Sequence, residues 1–484
     1  MTLEEEVARL RVENEELSRL LAEALERVAE LEGQLGERPK RGGEPPFFVK
    51  PNARPKQAKT ENPKARKKRD KQHNHGRKCE TPTTIVLHSL DNCPECKMRL
   101  HGKSLDYARQ VIELPEPRPV EVTEHRVIRR YCPQCKKWRS PKIALHGEHG
   151  EERQILGRGR IGARLISLIA TLRHELRLPF ERIQWFLETF HRLKLSIGEI
   201  VYLLDQVREA TKPAVERLRE EARKSKVLHA DETSWREDGQ NGYLWSFSTP
   251  GESAGEGESA GKGGGEDGKE AIRYYEFDPS RSQAVPRRIL ADKFKGVLVS
   301  DFYCGYNDYP SRHQRCWVHL FRDLKELKEA HPDNQQVLEW VEKLRALHDE
   351  AKEWLLRNRD PGPKLEQREK EYVSLVGRVH QHGLLYSGDK THPAWALCKR
   401  LLRHEDELFQ FVLIEGLASN NNLAERSIRP MVVVRKISGG TRSSSGTKTR
   451  MALATLFETW RARGLNPFEE CLRLLHHPPA PATS

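Results

Sequence analysis

Val227-Leu-His-Ala-Asp231 and Val297-Leu-Val-Ser-Asp301 are two short apolar runs, each ending on a carboxylate. A continuous apolar run of this length is the pattern of a strand buried on both faces, and the tip of such a strand faces the edge of an open sheet, where sites form. If the two strands are neighbours, Asp231 and Asp301 come close enough to share a hard, oxygen-seeking cation such as magnesium. Each aspartate alone carries little, because an Asp after a strand is often a turn or helix cap. Working outward, Gly242 to Thr249 and Ile272 to Phe277 also read as strands, and with 227–231 they form a hairpin-like series. The connection from Pro250 to Glu270 is rich in Gly, Glu and Ser, lacks apolar residues to bury, and is predicted to be a disordered surface loop.

A third carboxylate stands in Ser419-Asn-Asn-Asn-Leu-Ala-Glu425-Arg-Ser-Ile-Arg429-Pro430, where an Asn caps a helix carrying Glu425 in its first turn. Asn422 and Glu425 have the three-residue offset of a capping box, so Glu425 has a purely structural alternative. Its surroundings weigh the other way: three Asn together with Arg426, Arg429, Arg435 and Lys436 suit a metal beside a phosphate backbone. Glu458, on the following amphipathic helix, is the fallback.

The chain has 484 residues, enough for several domains. Hydrophobic residues make up 36% and charged residues 32%, while the mean hydropathy is -0.76. A core forms, but much of the chain is solvated helix, linker or charged surface. The formal net charge of +13 favours a polyanionic partner, since Lys and Arg release counterions from phosphates. No uninterrupted apolar run is long enough to cross a bilayer, and the acidic, heptad-patterned start is unlike a signal peptide. The expectation is a cytoplasmic protein without a membrane partner, nucleoid-associated when bound to DNA.

Leu3, Leu10, Leu17, Ala24 and Leu31 occupy one heptad position, and Val7, Asn14, Leu21, Val28 and Leu35 the position four residues later. This predicts a coiled coil over 1–36 that makes a homodimer, with Asn14 fixing the register, although Leu20 and Leu25 lie outside the seam and leave a higher homo-oligomer open. An amphipathic helix packed on its own protein is the alternative. Residues 37–80 read as a basic disordered arm, in which Lys64, Arg66, Lys67, Lys68 and Arg69 either bind the DNA backbone or merely solvate a linker.

Cys93-Pro-Glu-Cys96 and Cys132-Pro-Gln-Cys135 are two thiolate pairs, each on the short turn that lets both sulfurs reach one tetrahedral ion. They predict structural Zn2+ in a ribbon-like module over 81–150, with Val120 to Tyr131 as strand. Four unligated cysteines are the alternative. In the helical segment 151–225, Pro179 opens a helix with Phe180, Ile183, Leu187 and Phe190 at helical spacing. Ser196-Ile-Gly-Glu199 is a capping box starting a second helix that continues with Ile200, Leu203, Leu204 and Val207. The pair reads as a helix-turn-helix for DNA, though any αα-hairpin shares the pattern.

Taken together, His229-Ala-Asp231-Glu-Thr, Asp301-Phe-Tyr-Cys-Gly-Tyr306-Asn, Cys316-Trp-Val-His319-Leu-Phe-Arg322, Asn421-Asn-Leu-Ala-Glu425-Arg, Arg435-Lys436-Ile-Ser-Gly-Gly and Gly464-Leu-Asn-Pro467 resemble the bacterial insertion-sequence sixty-six family of transposases over nearly the whole chain. The resemblance implies a multidomain α/β protein with an RNase H-like catalytic fold, its first part at 226–322, a helical insertion at 323–415, and its second part at 416–484. It also implies a DDE triad of Asp231, Asp301 and Glu425 that holds Mg2+ or Mn2+. The chemistry implied is DNA cleavage and strand transfer, with double-stranded element ends and target as partners and accessory proteins possible. His229, His319 and Arg322 are second-tier candidates for positioning phosphate. The sequence departs from the family pattern at Phe302, where a smaller or more polar residue is expected, and in the Gly-rich insertion after Pro250. Two rival readings stand: a DNA-binding regulator without chemistry, and an RNase H-like nuclease that cuts but does not join.

Overall fold

The computed structural model describes residues 81–114, 116–141, 145, 153–156, 159–251, 271–359 and 362–477, together with Arg19. The coiled coil expected over 1–36, the basic arm over 37–80 and most of the Gly-rich loop, 252–270, lie outside the described residues. The chain divides into two units, Met1–Glu113 and Leu114–Ser484. In the first, Asn92 and Arg99 form an isolated antiparallel bridge around a turn in which Cys93 N–H donates to Met98 and Lys97 N–H to Cys93. Lys97, just past Cys96, has φ +63°.

The second unit begins with a small hairpin, β1 (Arg130–Cys132) and β2 (Lys137–Arg139), antiparallel with Tyr131 opposite Trp138. Residues 120–129 carry no ladder, so the strand expected from Val120 is confined to its last residues. These residues are mostly exposed, and among the described residues no second strand pairs with them. Three helices follow, α1 (Ala163–His174), α2 (Phe180–His191) and α3 (Ile197–Lys224). The start of α3 follows its sequence signal: Ser196 Oγ accepts from the backbone N–H of Glu199 at 3.1 Å. Ile183, Leu187, Ile200, Leu203, Leu204 and Val207 are buried, whereas Phe190 is half-exposed.

Strands β3 (Val227–Glu237), β4 (Gln240–Ser248), β5 (Arg273–Asp278), β6 (Val297–Ser300) and β7 (Arg312–Arg315) make one mixed sheet in the order β5-β4-β3-β6-β7. The first three are antiparallel neighbours, while β6 and β7 join β3 in parallel. Strand β3 runs six residues past Asp231 because Asp238 (φ +48°) and Gly239 (φ +77°) close a tight turn into β4, the left-handed pair that a two-residue hairpin requires. After β5 comes the short α4 (Ala284–Leu290). Helices α5 (Trp317–Ala330), α6 (Gln335–Arg357), α7 (Leu365–Leu384), α8 (Trp395–Leu408) and α9 (Gln410–Leu413) follow β7. The chain then runs through α10 (Asn422–Ser438), α11 (Ser444–Ala462) and α12 (Pro467–His476). The protein is mixed α/β, and among the described residues no helix is long and apolar enough to cross a membrane.

The alternation of side chains along the strands separates two faces. Leu228, Ala230, Leu298, Trp245, Phe247 and Tyr274 belong to a core shared with α1 to α3 and part of α11. On the opposite face, Val297 and Val299 pack against the helices after β7, while Trp235, Leu244 and Tyr275 pack against α10 and α11 through Ile428, Met431, Val434, Met451 and Ala454. That second face carries two separate apolar clusters. The residues between them are polar.

The edge of the sheet at β5 is covered. Backbone N–H groups of Arg273 and Tyr275 donate to Thr459 and Thr455 Oγ1 of α11, at 3.0 and 3.1 Å, so these two edge donors are satisfied. The far end of β3 is clasped by the segment after α10. Glu237 bridges to Thr441 in parallel, Asp238 N–H donates to Thr441 and Thr441 N–H to Arg236, and Trp235 Nε1 donates to Thr441 Oγ1. Gly440, at φ +119°, lies so close to Arg236 that a Cβ there would collide with its carbonyl oxygen.

Candidate active site

Strands β3 and β6 pair with Val227 beside Val297, Leu228 beside Leu298 and His229 beside Val299. Carried two residues further, this register sets Asp231 of β3 beside Asp301, the residue that follows β6, where adjacent strands lie about 4.8 Å apart. Both aspartates fall on the sheet face with the two separate apolar clusters, in the polar strip between them. Asp231 Oδ1 accepts from the N–H of Glu232 at 2.9 Å, and Asp301 Oδ1 from the N–H of Tyr303 at 2.9 Å. Burial raises the Asp231 carboxyl to about 8, aided by the charges of Glu232, Asp301 and Glu425. Among the described residues no cationic side chain pairs with this carboxylate, and a bound cation would relieve it.

Glu425 enters from α10. This helix starts without a side-chain cap: Asn421 is the N-cap residue and makes no capping hydrogen bond. The Asn422–Glu425 capping box that the sequence allows does not form, because the Glu425 carboxylate turns instead toward α5, with Arg322 Nη2 at 3.2 Å and His319 Nε2 at 3.6 Å. Asn421 itself is buried and tied to the sheet. Its Nδ2 donates to the carbonyl of Ala230 at 2.8 Å, its Oδ1 lies 3.1 Å from His229 Nδ1, and its N–H reaches Cys316 Sγ at 3.1 Å. One amide therefore joins the start of the Glu425 helix to the strand that carries Asp231. His229 is buried and its pKa falls to about 4, from burial first and then from Arg273 and Arg426, against the opposing hydrogen bond to Asn421. It is neutral at ordinary pH.

Glu232 follows Asp231 and points to the other face. It accepts from Tyr306 Oη and Arg281, and Arg281 lies over the Tyr303 ring, 3.9 Å from its centroid. Burial raises its pKa while Tyr306 and Arg281 oppose the rise. The sequence assigns no role to Glu232, Tyr306 or Arg315, and marks Asn421 only as one of three Asn around Glu425. Only the Asn run and the Asp301-to-Tyr306 motif marked their neighbourhoods.

The basic residues near Glu425 divide. Arg426, Arg429 and Lys436 are exposed. Arg435 is spent on the fold, donating from Nη1 to Thr233 Oγ1 at 2.9 Å and to Ser234. Glu458 is engaged elsewhere, with His174 Nε2 at 3.2 Å and Arg461 beside it. The basic run Lys64 to Arg69 lies outside the described residues.

Each Cys-x-x-Cys pair sits on a turn that tightens at the residue after its second cysteine, Lys97 (φ +63°) and Lys136 (φ +52°). Backbone N–H groups of Cys96 and Glu95 hold the Cys93 thiol below its ordinary pKa, and the N–H of Cys135 acts likewise on Cys132. Among the described residues no three His, Cys, Asp or Glu side chains are gathered closely enough to hold a metal ion as they stand. The donor chemistry at Asp231, Asp301 and Glu425, all oxygen and mutually repelling, fits a hard divalent cation.

A family model described as "Transposase IS66 family" matches residues 158–449. Two curated relatives, both from Sinorhizobium fredii (strain NBRC 101917 / NGR234), share shorter stretches. The uncharacterized protein y4qI is 26% identical over 212 residues, 40% of this chain and 38% of the relative. The uncharacterized protein y4jO is 30% identical over 170 residues, 35% of this chain and 49% of the relative. The chain thus spans less than half the length of each of these curated relatives.

Proposed function

The chain belongs to the IS66 family of transposases, and on that premise we propose that it is a DDE transposase that cleaves the ends of an insertion sequence and joins them to target DNA. The observation that carries the reading is the β3–β6 register, which sets Asp231 beside Asp301 on the face that the Glu425 helix borders. The mixed sheet, with an antiparallel hairpin on one side of β3 and parallel strands on the other, supports an RNase H-like catalytic fold interrupted by the helices after β7.

In this mechanism Asp231, Asp301 and Glu425 would hold Mg2+ or Mn2+. When bound, such a metal would supply activation of the attacking oxygen and stabilisation of the departing one in an in-line displacement at phosphorus. The side chains do the rest. Burial and the charges of Glu232, Asp301 and Glu425 raise the Asp231 carboxyl, and a bound cation would favour its charged form. Arg322 and His319 steady Glu425 at the mouth of α5. Neutral His229 locks the strand to Asn421 without adding charge. Arg426, Arg429 and Lys436, exposed on and beside the Glu425 helix, bind backbone phosphates of the duplex and orient the scissile bond. Further DNA contacts come from Lys64, Arg66, Lys67, Lys68 and Arg69, and from the α2–α3 pair as a helix-turn-helix.

We further propose structural zinc on Cys93, Cys96, Cys132 and Cys135. The two matching turns and their lowered thiols support it. So does the exposure of Ile85, Val86, Leu87, Val111 and Ile112, for a small module with little core folds on its metal. Residues 1–36 would join copies into a dimer or higher oligomer.

The test uses labelled element ends, a plasmid target and magnesium. Covalently joined product that disappears in Asp231→Asn, with DNA binding kept, is the expected result. Cleavage without joining would mean a nuclease, and DNA binding with no metal-dependent chemistry would mean a regulator.

A further inference from the structure

Arg315 has no solvent exposure, and each nitrogen of its guanidinium donates a hydrogen bond. Nε donates to the Glu407 carboxylate. Nη1 donates to Ser300 Oγ at 3.1 Å and to the backbone carbonyl of Asp301 at 2.9 Å. Nη2 donates to Asn307 Oδ1 at 2.8 Å. Arg315 stands on β7 directly beside Ser300 of β6, so one rigid planar fork grips the residue before Asp301, Asp301 itself, and the loop that follows.

The counter-ion comes from the helices inserted after β7. Glu407, on α8, also accepts from His404 Nδ1 at 2.8 Å, at the point where α8 departs from helical geometry. The same helix holds the residue after Asp301. The Phe302 ring lies 5.7 Å from the His404 ring and 5.1 Å from the Arg400 guanidinium, and Arg400 pairs with Asp323 of α5. This accounts for the large aromatic at a position where the family pattern suggested something smaller. A buried ion pair adds little to stability compared with apolar packing, so what this one supplies is geometry.

We propose that Arg315, with Glu407 as its counter-ion, is a positioning residue that sets the Asp301 carboxylate for metal binding, and that the helical insertion thereby controls the site. The inference rests on the metal-holding role given to Asp301 above. It acts through the turn: Arg315 fixes the backbone on which the Tyr303 N–H orients Asp301 Oδ1.

The test is Mn2+ titration of the full chain, followed by the electron paramagnetic resonance of the free ion, for wild type, Asp301→Asn, Arg315→Lys and Asn307→Ala. Arg315→Lys keeps the charge but loses the fork. Asn307→Ala deletes one loop contact and leaves the Arg315–Glu407 pair intact, so it carries the test if the lysine variant does not fold. Both are expected to weaken Mn2+ binding about ten-fold or more while duplex DNA affinity in EDTA stays at the wild-type value. If Asp301→Asn weakens Mn2+ binding but Asn307→Ala and any folded Arg315→Lys bind as wild type, the positioning role is overturned. If Asp301→Asn itself binds Mn2+ normally, the metal reading on which it rests has failed instead.

Discussion

The side chain of Asn421 spans from helix to strand, with Nδ2 donating to the carbonyl of Ala230 at 2.8 Å and Oδ1 3.1 Å from Nδ1 of His229. Because Nδ2 is the donor end, Oδ1 must accept, and His229 carries its proton on Nδ1. Asn421→Leu would leave the Ala230 carbonyl and the His229 N–H buried and unpaired, at about 1–3 kcal/mol each. Urea unfolding should show a lowered midpoint. An unchanged one would mean that the bridge does not hold α10 to the sheet.

Asp231 sets a pH dependence. Its carboxyl is raised to about 8 in the folded protein against about 4 in an unfolded chain. Between those values the native state binds a proton that the unfolded state has lost, so metal-free stability falls as pH rises through the window. Asp231→Asn should remove the decline and be the more stable protein at pH 8, by a few kcal/mol at most, while losing strand transfer. Parallel stability–pH curves for the two proteins would refute it.

Arg435 and its neighbours should part company in DNA binding. Arg426→Ala and Arg429→Ala are each expected to reduce the slope of log affinity against log salt by about 1, as a lost phosphate contact does. Arg435→Ala should leave that slope alone and lower the melting temperature, since its guanidinium is bound to Thr233 and Ser234 of β3.

Gly440→Ala meets both a backbone φ of +119° and the Arg236 carbonyl. The clasp over the end of β3 should open, with a loss of about 2 kcal/mol or more. Thermal unfolding is the measurement, with exposed Gly388→Ala as the control.

Zinc can be counted directly. Full-length protein from metal-replete cells should carry a single zinc ion by elemental analysis, and Cys96→Ser or Cys135→Ser should each abolish it. Zinc-free wild type would end the proposal.

Features that depend on near neighbours are legible in the residues alone. The apolar runs ending at Asp231 and Asp301, the Ser196 start of α3 and the helical spacing of Ile183 and Leu187 all rest on local period and capping. Asp238-Gly239 is a local hairpin signal of the same kind. Strand β7 gave none, since Arg312-His-Gln-Arg315 has no apolar alternation, and it became a strand only because β6 offered its free edge. The tertiary structure alone decided the rest. It set the register that puts Asp231 beside Asp301, turned Glu425 from its own helix cap toward Arg322 and His319, and buried Arg315 against a glutamate 92 residues away. Such pairings follow from which distant segments are brought together and which charges are left without water, and a buried charge takes whatever partner the closed fold places beside it.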